Sequence, residues 1–222
     1  MRRLHLLAPV VPDRRPTRLA MLTCGLVLYG ISNATLVLAG LGLDPWDVLH
    51  QGLSRTFGLG VGTWTDIVGV AVLLAWIPLR QRPGVGTVAN AIIIGLVVNA
   101  VLAFTPVPHG LVVRAVLMVG AVGLNAVATG LYIGAGLGPG PRDGLMTGIV
   151  GLGHSVRVVR TGIEVSVLAA GWLLGGTVGV GTLLYAASIG PLVHYTLPRL
   201  ALRPRTLYRP AVPVAQTAPD AL

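Results

Sequence analysis

Gly40-Leu41-Gly42-Leu43-Asp44-Pro45-Trp46-Asp47 returns 96 positions later as Gly136-Leu137-Gly138-Pro139-Gly140-Pro141-Arg142-Asp143, with Gly, Leu, Gly, Pro and Asp in register. The correspondence runs from Ala39/Ala135 to Gly52/Gly148. Further along, Gly84-Val85-Gly86-Thr87 recurs as Gly179-Val180-Gly181-Thr182, at a spacing of 95. Such self-similarity predicts two copies of one unit, each centred on a glycine-rich turn that opens a short helix. In the first copy Asp44 is an N-cap, Pro45 suits the first helical position, and Asp47 is placed to return a capping bond. The helix from Pro45 to about Phe57 and its counterpart from Pro141 to about Leu152 are too short to cross a bilayer. By length they are re-entrant or interfacial.

The segments around these turns are apolar enough to cross. Hydrophobic residues make up 54% of the chain and charged residues 10%, against roughly 25% charged in soluble domains, and mean hydropathy is +0.80. Predicted crossings are Leu19–Leu38, Trp64–Leu79, Thr87–Phe104, Leu111–Ile133, Val156–Leu174 and Val180–Leu197, the last kinked at Pro191; about 20 residues span a 30 Å hydrocarbon core. The expected fold is therefore an all-α membrane protein: six transmembrane helices plus two short re-entrant helices, in two repeats of three spans. Expected boundaries are a cytoplasmic, disordered tail at 1–17, a first repeat at 18–104, a linker at 105–110, a second repeat at 111–197 and an Arg/Pro-rich tail at 198–222. Trp64 and Trp76 are expected at the membrane interfaces. The apolar run after Arg14-Arg15 is too long for a signal h-region, which predicts an uncleaved anchor.

Three crossings per copy is an odd number, so the second copy enters the membrane upside down relative to the first, as in inverted-repeat transporters. Charge supports this. All sixteen basic residues are Arg. With both termini cytoplasmic, six crossings put Arg80, Arg82, Arg142, Arg157, Arg160 and the C-terminal arginines inside, and leave 105–110 and Gly175-Gly176 outside without one. Eight crossings would put Arg80, Arg82 and Arg142 on the wrong face. Arg55 and Arg114 fit neither scheme. The net charge of +9 does not point to nucleic acid, because no basic helix or aromatic platform stands outside the apolar segments.

Ionisable groups at membrane depth are costly and mark functional sites. Asp47 and Asp143 are equivalent positions in the first turns of the two short helices. They are read as capping residues, and compatibly as a solute site where two helix starts converge, together with Asp44, Trp46 and Arg142. Arg142 either holds a carboxylate or phosphate, or pairs with Asp143, or marks the cytoplasmic surface. Trp46 is read as an interface anchor ahead of a stacking platform. Arg160 and Glu164, four apart on one helix, form an ion pair that is structural or gating. Asn33, Asn90, Asn99, Asn125 and His194 are read as buried interhelical hydrogen-bonding groups, Asn99 and His194 being equivalent positions. Gly130/Gly134, Gly144/Gly148 and Gly171/Gly175 are spaced for close helix approach. Cys24, the single cysteine, is read as a packing residue. The scattered His50, His109, His154 and His194 make no metal motif, and no cofactor is expected. No nucleophile–base pair is recognisable, so the chain is not expected to be an enzyme.

GLGLDPWDVLHQGLS, RQRPGVGTVAN, GLYIGAGLGPGPRDGLMTG, VRVVRTGIEV and GWLLGGTVGVGT resemble the bacterial YczE-type membrane proteins, relatives of the YitT-like family. The likeness covers about Leu19 to Tyr195 and implies a bacterial plasma (inner) membrane protein. It brings no substrate or catalytic residues. The leading expectation is a transporter-like permease for a small solute or ion. The alternative is a membrane accessory or regulatory scaffold that moves nothing. Expected partners are the lipid bilayer and the solute, with a homo-oligomer left open.

Overall fold

The computed structural model describes residues 14–202, and over these the chain forms helices and no strand. They are α1 (Arg15–Ala39), α2 (Pro45–Phe57), α3 (Val61–Ala75), α4 (Val85–Phe104), α5 (Leu111–Gly134), α6 (Pro141–Val150), α7 (Val156–Leu173) and α8 (Val180–Leu200). The boundaries follow local chemistry. Pro45 and Pro141 stand at the first helical positions of α2 and α6, where a missing N–H leaves nothing unpaired. Both expected tail limits move. Arg15, Pro16 and Thr17 belong to the first turn of α1 and not to a tail, and α8 continues through Pro191 and Pro198 to Leu200. The remainder of the expected tails, 1–13 and 203–222, lies outside the described residues.

α1 and α5 run antiparallel through the centre. α4 lies on α1 and α8 on α5, while α3 lies on α4. The short helices cross over: α2 packs on α7, and α6 on α3. One buried cluster joins Leu22, Leu26, Ile94, Val98, Tyr132 and Leu137. A second joins Leu36, Leu43, Val48, Met118, Val122 and Tyr185. α7 and α8 are hardly in contact, unlike α3 and α4.

Polarity is distributed as a bilayer solvent demands. Phe104, Leu173, Val112 and Leu183 are exposed, while Arg18, Asn33, Asp44, Asp47, His50 and Asn125 are buried. Apolar side chains facing outward cost nothing in lipid, and inward polar groups find partners in protein. α1, α4 and α5 are each long and apolar enough to cross. α3 has 15 residues, about 22 Å at 1.5 Å per residue, because Trp76 to Arg80 forms a turn where helix was expected. α7 carries Arg157, Arg160 and Glu164. α2 and α3 together qualify as one broken, 114° bent span or a re-entrant loop.

Three arginines cap helix ends, among them Arg55 and Arg114, which fitted neither crossing scheme. Arg18 Nη1 donates to the Ala135 carbonyl at 2.8 Å. Arg114 donates to Ala39 at 2.6 Å and Gly40 at 2.9 Å. Arg55 donates to the Gly175 carbonyl beyond α7. Terminal carbonyls have no partner within their own helix, and at membrane depth no bulk water replaces one.

Close helix approach depends on small residues. A Cβ on Gly144 would lie 1.8 Å from the Trp76 ring, and one on Gly171 would lie 2.4 Å from the Leu49 nitrogen. Gly175 meets nothing, so the third expected glycine pair contributes one packing position. Three further expectations are corrected here. Trp76 is 2% exposed and donates to the Pro141 carbonyl; it locks α3 to α6 and is not an interface anchor. Cys24 is exposed, because its face of α1 turns away from α5. His194 is exposed as well, since it lies on a face of α8 that no other described helix covers.

Candidate functional site

Each glycine-rich turn is held by the helix that opens with Gly-Val-Gly-Thr in the other half of the chain. Gly181 N–H donates to Leu41 O, and Gly86 N–H donates to Leu137 O, both at 2.8 Å. Gly42 and Gly138 sit at φ 123° and 125°, a region that costs an L side chain strain. A Cβ at either would also strike Thr182 or Thr87 at 2.7 Å. The turns therefore deliver α2 and α6 at fixed angles, with their N-termini facing inward toward each other.

At the start of α2, Asp44 Oδ1 accepts from Trp46 N at 2.9 Å and Asp47 N at 3.2 Å. This is the expected cap. Asp47 does not return the bond: its Oδ1 lies 3.0 Å from His50 Nδ1, one helical turn on. The spacing of three places both on one face, and the acid is drawn to the imidazole. Thr65 Oγ1, 3.1 Å from the same nitrogen, bonds the Val61 carbonyl. A carboxyl and a hydroxyl oxygen facing Nδ1 favour the tautomer with hydrogen on that atom. At the start of α6, Asp143 accepts from Tyr132 Oη at 3.1 Å.

Arg142 joins the two helix starts. Its guanidinium stands 4.9 Å from the centroid of the Trp46 ring, 3.7 Å from Asp44 Oδ1 and 3.9 Å from Asp47 Oδ1. Trp46 is 9% exposed. It is thus the flat surface under a cation and not an interface anchor, because α2 points its first turn into the protein. Arg142 faces the carboxyls of α2 and makes no ion pair with Asp143 among the described residues.

A cavity of about 290 Å³ opens beside this cluster, bounded by Tyr29, Asp44, Arg142, Asp143, Glu164 and Tyr185 among others. It fills the space left where α7 stands off α8. Arg160 and Glu164, bonded at 2.9 Å and about half exposed, lie on its α7 wall. Behind the cavity Tyr185 Oη donates to Asn125 Oδ1 at 3.1 Å, and Asn125 Nδ2 donates to Asn33 Oδ1 at 3.0 Å. A smaller cavity of about 70 Å³ touches His50, Thr65, Asn90 and Trp46.

The structure thus brings together Asp44, Trp46, Asp47, Arg142 and Asp143, with Arg160 and Glu164 on the same cavity. It does not bring Asn99 or His194 there. Asn99 accepts from Gly62 N and donates to Thr63 Oγ1, both at 2.9 Å, which clamps α3 to α4. His50, Tyr29, Tyr132 and Tyr185 were not singled out from sequence. The three-residue step from Asp47 to His50 was a readable signal. The tyrosines carried none, because helix packing alone aims them at the site.

The profile of the family of unknown function DUF6198 matches residues 16–198. A Haemophilus influenzae protein named only as uncharacterized is 39% identical over 86% of this chain and 88% of its own length. The Bacillus subtilis uncharacterized membrane protein YczE is 37% identical over 79% of this chain and 83% of its own. YyaS of Bacillus subtilis, also uncharacterized, is 26% identical over 78% and 89%. No solved structure matches. The lipid-compatible exterior, the apolar helices and these relatives make the chain a membrane protein, and it belongs to the DUF6198 family as a YczE-type member.

Proposed function

We propose that the chain is a transporter-like permease for a small solute or ion in the bacterial inner membrane. It crosses six times, as two inverted repeats of three spans (18–104 and 111–197) joined by the 105–110 linker, with both termini cytoplasmic. The solute path runs past the starts of the two short helices. One observation carries this reading: Arg142 at the start of α6 stands within 4 Å of Asp44 and Asp47 at the start of α2, on the wall of a cavity. Broken helices whose ends meet inside a bundle are how transporters build binding sites.

Inversion is supported by reciprocity. Arg18 reaches Ala135 while Arg114, 96 positions on, reaches Ala39; Gly181 reaches Leu41 while Gly86 reaches Leu137. Contacts exchanged in this way are what a two-fold axis relating antiparallel halves produces. The open α7–α8 side against the packed α3–α4 side suits alternating access, in which one half moves against the other.

Flux into liposomes holding the purified protein tests the reading. Uptake of at least one small solute, lost in Asp47→Asn combined with Asp143→Asn while folding is kept, is expected. Unchanged flux in that folded double variant would remove these helix starts from the path.

A further inference from the structure

Carboxyl groups outnumber guanidinium groups at the joined helix starts. Asp44, Asp47 and Asp143 supply three carboxyl groups, and Arg142 is the single guanidinium among them; Arg160 and Glu164 cancel each other. Three buried acceptor atoms of the cluster have no hydrogen-bond partner: Asp44 Oδ2, Asp47 Oδ2 and His50 Nε2. His50 Nε2 is an acceptor in the tautomer with hydrogen on Nδ1, the one its neighbours favour. Unmet acceptors in a buried site are costly, and their complement is a ligand that carries N–H donors.

The one cation already in the cluster shows how such a ligand would sit. Arg142 lies over Trp46 within cation–π range and between two carboxyls. Yet its contacts of 3.7 and 3.9 Å exceed the roughly 2.8 Å of a charge-assisted hydrogen bond. It is held by charge and ring face without filling the oxygens. Tyr29, Tyr132 and Tyr185 supply aromatic walls. Among the described residues no three His, Cys, Asp or Glu groups come together to hold a metal ion. An anion at this guanidinium would also stand against the carboxyls of Asp44 and Asp47.

We propose that the site takes a small organic cation bearing N–H groups, an alkylammonium or a guanidinium, and that Arg142 is its internal competitor. This names the solute class of the permease reading, and rests on that reading for the transport step only.

Calorimetric titration of the purified full-length protein with methylguanidinium, methylammonium, tetramethylammonium and acetate, at matched ionic strength, tests it. The two N–H cations are expected to bind about ten-fold or more tighter than tetramethylammonium, which lacks donors, and acetate is expected not to bind. Arg142→Gln should tighten cation binding about ten-fold by removing the competitor, and Asp47→Asn should weaken it by a similar factor. Asp44→Asn, which keeps the N-cap acceptor, should weaken it too and serves if Asp47→Asn fails to fold. Binding of acetate that Arg142→Gln abolishes would overturn the proposal. So would equal binding of tetramethylammonium, no cation binding at all, or weaker cation binding in a folded Arg142→Gln protein. Cation binding without flux would remove the permease and leave this site standing; flux of an anion without cation binding would do the reverse.

Discussion

Arg18 and Arg114 each end the helix that the other one starts. Arg18, in the first turn of α1, donates to Ala135 at the end of α5, and Arg114, in the first turn of α5, donates to Ala39 and Gly40 at the end of α1. The two central helices are thereby stapled at both ends, with the charge of each arginine set against the negative end of a helix dipole.

Removing either staple leaves carbonyls of a helix end without a partner. Arg114→Ala is expected to destabilise the protein by about 1–3 kcal/mol. Arg114→Lys should recover only part, because an ammonium cannot reproduce a two-nitrogen fork. Thermal unfolding in detergent, followed by loss of the monodisperse peak, measures both.

The contact between Gly144 and Trp76 makes a paired test. Gly144→Ala drives a methyl group into the ring and is expected to cost about 1–3 kcal/mol. Trp76→Leu on its own also destabilises, through lost packing and the orphaned Pro141 carbonyl. The double variant should be less destabilised than the sum of the two, and the non-additivity reads their contact directly.

Arg160 and Glu164 behave differently. Their side chains are 54% and 41% exposed, so Arg160→Gln is expected to shift stability by no more than about 0.5 kcal/mol. Any larger change should come in the rate at which solute enters the cavity, read from liposome flux.

Orientation is tested by single cysteines at Gln81 and Pro108 after Cys24 is replaced, since Cys24 is exposed on α1. A membrane-impermeant maleimide applied outside intact cells is expected to label position 108 and spare position 81. Labelling of both would remove the inverted arrangement proposed above.

Much of the architecture was legible because its signals are local. The limits of α2 at Pro45 and Phe57 follow from Asp-Pro before it and Gly58 after it, and α4, α5 and α7 fall within about two residues of their apolar runs, ordinary for helix ends. The pairing of α2 with α7 and of α6 with α3 was not legible, because glycines at 52, 144, 148 and 171 state that something comes close without saying what. Trp46 and Trp76 were misassigned for the same reason: an aromatic near a helix end in lipid reads as an anchor until the neighbouring helix is known.

The amino-acid sequence alone determined the membrane class, the limits of α2, α4, α5 and α7 to within about two residues, and the turn that occurs twice, because hydropathy, caps and proline act over a few residues. Only the tertiary structure decided that Arg142 meets Asp44 and Asp47, that His50 completes the cluster, and that α7 stands off α8 to leave a cavity. Those outcomes depend on the relative rotation and depth of packed helices, which contacts between residues some 100 positions apart fix and no local pattern encodes.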